Sequence, residues 1–185
     1  MKEKDEGMDI ILVAVVFFAG AVLMALEMIG SRILAPAFGT SIYVWGALIT
    51  VVMSALTCGY FLGGRAADRW PGMSALGLVL AAAALLIGFL PLWMGPLTRS
   101  LQPLGPRTGS LSAAFALFFL PSLLLAMVSP YGVKLAGRSL GRIGGTAGRM
   151  AAISTAGSIL GTIATSFFLV PALGVRSIAR LLGLI

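Results

Sequence analysis

Five apolar runs dominate this sequence, and each is long enough to cross the roughly 30 Å of bilayer hydrocarbon, which takes about 20 helical residues. They cover residues 10–29, 42–62, 74–94, 111–128 and 150–170. Their apolar residues are continuous rather than alternating, which points to membrane helices and not to barrel strands. A sixth segment, 175–185, follows Pro171 and Gly174 and is too short to span. It is either a stub lying at the membrane surface or a sixth helix cut short. We adopt the second reading, because the segment is still apolar at its last residue.

Composition excludes most other classes. Of 185 residues, 59% are hydrophobic and 10% charged, against about 25% charged in soluble domains. Thirteen Lys and Arg with six Asp and Glu cannot cover a water-facing surface. The net charge of +7 is not gathered into one stripe but lies in the gaps between runs, where lipid headgroups sit. Nucleic-acid binding is therefore set aside, and the lipid bilayer is the expected partner. With no His and the single Cys58, a His-based triad, a zinc site and an intramolecular disulfide are excluded. No metal and no cofactor are expected.

Residues 1–9 form a charged tail bearing Glu3, Asp5, Glu6 and Asp9. No small-residue cleavage site follows the first run, so a retained helix is expected rather than a signal peptide. Residues 10–185 form one transmembrane domain. With the N-terminus inside, the inner set of basic residues is Lys2, Lys4, Arg65, Arg69, Lys134, Arg138, Arg142 and Arg149. Arg32, Arg99, Arg107, Arg176 and Arg180 make the smaller outer set, which places the N-terminus in the cytoplasm.

Glu27 is the one carboxylate inside an apolar run. It lies about 25 Å along the helix from Ile10, and an acid at that depth costs roughly 2.5–3.5 kcal/mol on insertion scales. Arg32 is its nearest cation in sequence, yet five residues turn an α-helix by about 140°. Two readings stay open: an acid that couples a proton or a cation to transport, and a structural ion pair with Arg32. Trp45 belongs to the same outer mouth and either lines a cavity beside Glu27 or anchors the interface. Tyr43, Trp70 and Trp93 lie near run ends and read as anchors.

Between the second and third runs the loop reads Gly59-Tyr-Phe-Leu-Gly63-Gly64-Arg65-Ala-Ala-Asp68-Arg69-Trp70-Pro71. Gly64, Asp68 and Arg69 resemble the Gly-x-x-x-Asp-Arg loop signature of the major facilitator superfamily, with Pro71-Gly72 in place of the glycine that follows. A plain charged turn is the alternative. In the fifth run Gly157 and Gly161 form Gly-x-x-x-Gly beside Ser154, Ser158 and Thr162. That spacing permits close helix contact, within one chain or between subunits. Pro91 and Pro121 read as kinks, while Ser129-Pro130 reads as the end of the fourth helix. The glycines at 144, 145 and 148 lack the preceding strand that a phosphate loop needs.

Three further segments narrow the resemblance. The stretch from Glu27 to Gly46, containing Gly30, Arg32, Pro36, Gly39, Tyr43 and Trp45, is similar to the first helix and loop of the membrane region fused to prokaryotic spermidine synthases. Leu120-Pro121 to Tyr131 and Ser154 to Thr162 are similar to later segments of that family. The resemblance implies an all-α, polytopic transmembrane bundle of half major-facilitator size, with five full spans and a short or truncated sixth. It further implies a homodimer, a cationic substrate such as a polyamine, and a prokaryotic inner membrane. The aminopropyltransferase domain of the family is absent, so no catalytic residue is assigned and no enzyme activity is expected. A non-transporting domain that anchors such a synthase is the alternative. By the same analogy, Asp68 is expected at the start of the fifth helix of a second copy, where a carboxylate favours the positive helix end.

Overall fold

The computed structural model describes residues 2–137 and 143–185, with side chains described within 10–137 and 144–185. Arg138 and Arg142 lie outside the described residues, as do the side chains of Lys2 and Lys4. The described chain is helical almost throughout and contains no strand. Its helices are α1 (Lys2–Phe38), α2 (Ile42–Arg69), α3 (Met73–Leu101), α4 (Gly105–Ala114), α5 (Leu120–Ala136), α6 (Ile143–Ile163), α7 (Val170–Ala172) and α8 (Val175–Leu182). A π-helical turn, Phe115–Phe119, joins α4 to α5, and a second, Ala164–Leu169, joins α6 to α7.

Four helical stretches are long and apolar enough to cross a membrane: Ile10–Phe38, Ile42–Arg69, Met73–Ala136 and Gly144–Ala172. The third is not one rod. Gly105, at φ 77°, follows the short turn Gln102–Leu104 and reverses the chain, and α3 then packs back along α5. Another glycine in the left-handed region, Gly39 at φ 78°, closes α1 by donating its N–H to the Ala35 carbonyl at 2.9 Å. Pro71 stops α2, because the residue before a proline is driven out of the helical region; Trp70 stands at φ −131°, ψ 71°.

The helices outrun the apolar stretches that announce them. The expected tail joins α1 from Lys2, and α2 stays helical to Arg69. The glycine-rich segment before Trp70 is therefore the end of a helix and not a loop. Pro130 does not end the fourth helix either, since α5 runs through it to Ala136. A membrane helix tolerates an internal proline because neighbouring groups satisfy the freed backbone, and hydropathy falls wherever the rod enters the headgroup region, whether or not the helix ends.

Glycine contacts set the register of the rods. Gly157 lies against the Phe17 carbonyl and Gly161 against that of Ala21, so α6 runs parallel to α1. Gly59 meets the backbone of Leu123 and Gly63 that of Met127, so α2 and α5 are also parallel. These pairs form the two most extensive interfaces. Val16 against Gly132 and Gly30 against Phe118 make α1 antiparallel to α5, joining the two pairs into one core. The helix ends near Ile10, Arg69, Met73 and Ala136 are called proximal below, and those near Phe38, Ile42, Leu101 and Gly105 distal.

Candidate functional site

Glu27 is 9% exposed on α1. The structure does not bring it together with Arg32: the ion pair seen among the described residues joins Lys134 and Asp68. Arg32 instead lines a cleft between α1, α3 and α8, as the 140° helical turn between the two positions requires. Trp45 is exposed near the start of α2. From the Gly30–Leu48 contact it lies level with Ile33 and Leu34, about 10 Å beyond Glu27.

Two residues not singled out in the sequence share the level of Glu27. The antiparallel contacts of α1 with the fourth rod place Ser122 opposite Leu26, and the parallel contacts with α6 place Thr165 opposite Ala25. Each is 1% exposed, and neither hydroxyl has a hydrogen-bond partner among the described residues. An unpaired buried hydroxyl costs on the order of 1–3 kcal/mol. Three buried polar side chains thus share about one turn of the bundle, while the other buried polar groups, Thr98 and Ser110, bond carbonyls of their own helices.

Both hydroxyls adjoin or belong to a π-turn. Pro121 and Pro171 each stand two residues after such a turn and have no N–H to offer the carbonyls of Leu117 and Phe167. The chain answers the missing donor by widening the helix, a distortion that often marks functional positions. The prolines were legible in the sequence; the widened turns and their alignment beside Glu27 were not. A narrow cleft lined by Gly20, Leu23, Tyr60, Ser129 and Ser154 lies one turn further toward the proximal end.

At the proximal end Asp68 accepts a hydrogen bond from Lys134 of α5 at 2.7 Å. This pair gives Asp68 a partner inside its own chain. Arg69 lies over Trp70, its guanidinium carbon 5.4 Å from the ring centroid, and Arg65 lies over Phe61 at 3.8 Å. Gly64 faces open space, whereas Gly59 and Gly63 make the close approach to α5.

Gly157 and Gly161 pack on α1 of the same chain, and Ser158 Oγ donates to the Gly20 carbonyl at 3.2 Å. The same hydroxyl lies 3.0 Å from the Ser154 carbonyl within its own helix. The segment 144–148 is the first turn of α6, and its three glycines meet nothing within 4 Å.

Long apolar rods without a strand among the described residues define an all-helical integral membrane protein. No family model, curated protein or solved structure matches the chain.

Proposed function

We propose that the chain is a membrane transport domain of half major-facilitator size, acting as a homodimer in a prokaryotic inner membrane with its N-terminus in the cytoplasm. Glu27 would take up a proton or a small cation, with the polyamine class implied by the resemblance described above. The observation that carries this reading is a carboxylate buried in a spanning helix, level with two unpartnered hydroxyls and without a cation partner among the described residues. An intramembrane acid of that kind marks a pathway by default. Beside this layer, α6 keeps one face on α1 and turns Thr155, Ile159, Leu160, Ile163 and Phe167 outward, leaving an edge for a second copy. Arg65, Arg69, Lys134 and Arg149 at the proximal end favour a cytoplasmic N-terminus.

The second reading, an anchoring domain without transport, is favoured by the Lys134–Asp68 pair, which leaves Asp68 no need of an opposite half. Spermidine uptake into proteoliposomes separates the two. Saturable uptake that Glu27→Gln lowers at least about tenfold supports transport. Uptake no higher than in empty liposomes, with Glu27→Gln changing nothing, leaves the anchor.

A further inference from the structure

A second polar feature lies at the distal end, on the far side of α1 from Glu27. Arg32 of α1, Arg99 of α3 and Arg176 of α8 line one cavity of about 540 Å³, a size within the range of small-ligand sites. Ile33, Pro36, Ala37, Met94 and Val175 supply its apolar walls, and Thr98 and Gln102 add polar groups. No carboxylate among the described residues lines it. Among the described residues none of the three guanidiniums has an ion pair or ring contact, whereas Arg107, at the same end, bonds the Tyr43 hydroxyl at 3.0 Å.

The start of α8 adds to this charge. Gly174, Val175 and Arg176 line the cavity, and Gly174 caps the helix with no side-chain bond. The Ser177 and Ile178 N–H groups donate to the Gly174 carbonyl, while those of Val175 and Arg176 precede the first helical bond. Three positive forks and a positive helix end around apolar walls form an arrangement that repels itself when empty and is neutralised by a compact, multiply charged oxyanion.

We propose that the α1/α3/α8 cleft binds a phosphate group, carried by a phospholipid headgroup or by a free phosphate. The cleft lies at the distal helix ends, beside Gln102 and Gly174, where a headgroup phosphate or a free phosphate would reach it. The recognition chemistry is shared: guanidinium forks and backbone N–H groups on phosphate oxygens.

The test uses the full-length chain, purified and delipidated in detergent. Native mass spectrometry compares dioleoyl phosphatidic acid with dioleoylglycerol, which has the same tails and no phosphate. Thermal unfolding in rising inorganic phosphate, against chloride at equal ionic strength, forms the second arm. Retention of phosphatidic acid at least about tenfold above dioleoylglycerol, lost in R32Q/R99Q/R176Q, assigns the lipid source. Stabilisation by inorganic phosphate that the same variant abolishes assigns the free anion. The three side chains are exposed, so the variant keeps its fold; R99Q alone gives a partial loss. The proposal is overturned if neither ligand is preferred, if the triple variant binds as the wild type does, or if R107Q weakens binding as much as R99Q does.

Discussion

Gly157 of α6 lies directly against the backbone carbonyl of Phe17 in α1, with no room between them for even a methyl group. Backbone meets backbone there, so neither side can yield by turning a side chain. Gly157→Ala, and Gly161→Ala against Ala21, should each destabilise the protein by about 2–3 kcal/mol, the upper part of the overpacking range. Gly64→Ala is the counter-case: a Cβ there meets nothing within 4 Å. It should be neutral or stabilising by up to about 1 kcal/mol, from helix propensity alone. Unfolding in mixed micelles reads all three, and equal losses would mean that the α1–α6 contact is looser than described.

Ser122 and Thr165 should separate stability from function. A buried hydroxyl without a partner costs the folded state its hydration, so Ser122→Ala and Thr165→Val should hold or raise stability, by about 1 kcal/mol at most. If these hydroxyls serve the Glu27 layer in transport, the same variants should slow spermidine uptake several-fold. A drop in stability would instead show that each hydroxyl has a partner in the membrane.

The Lys134–Asp68 pair should contribute little to stability. Its side chains are 46% and 72% exposed, and exposed pairs give about 0.2–1 kcal/mol. A double-mutant cycle with Lys134→Gln and Asp68→Asn should return a coupling in that range, shrinking as salt rises from 0.05 to 0.5 M on the order of the Debye screening expected. A coupling above about 2 kcal/mol would mean that the pair is shielded in the assembled protein.

Gly105 should resist substitution for a conformational reason rather than a packing one. A Cβ there meets nothing within 4 Å, but the backbone stands at φ 77°. Gly105→Ala should cost about 1–3 kcal/mol, since positive φ combined with ψ 175° is a region essentially confined to glycine. Gly105→Asn should lose about as much in the same unfolding assay, because asparagine tolerates the left-handed helical region near ψ +45° and not ψ 175°. Equal stability of the alanine variant would indicate that the turn between α3 and α4 rearranges freely.

Much of this architecture was legible in the chain before any contact was known. Each apolar run became a helical rod, because the cost of exposed backbone in lipid forces local hydrogen bonding whatever the neighbours are. The ends were less legible: residues 63–69 and 130–136 are polar or broken by proline, yet they stay helical. The Gly-x-x-x-Gly of the fifth run announced a close helix contact but not its partner. Glu27 stood out as an acid in an apolar run, while Ser122 and Thr165 looked like ordinary small residues, since nothing local distinguishes a satisfied hydroxyl from an orphan.

By itself, then, the sequence determined that the chain enters a membrane as helices and that Glu27 is the acid it carries there. Hydropathy and backbone hydrogen bonding are local properties, complete within each run. The tertiary structure decided that α1 pairs with α6 and α2 with α5, both in parallel, and so which distant side chains share a level. It also separated Glu27 from Arg32, gave Asp68 to Lys134, and gathered Arg32, Arg99 and Arg176 around one cleft. Those outcomes depend on register and crossing, which backbone-to-backbone contacts at a few glycines impose between residues 64 apart in α2 and α5 and 140 apart in α1 and α6.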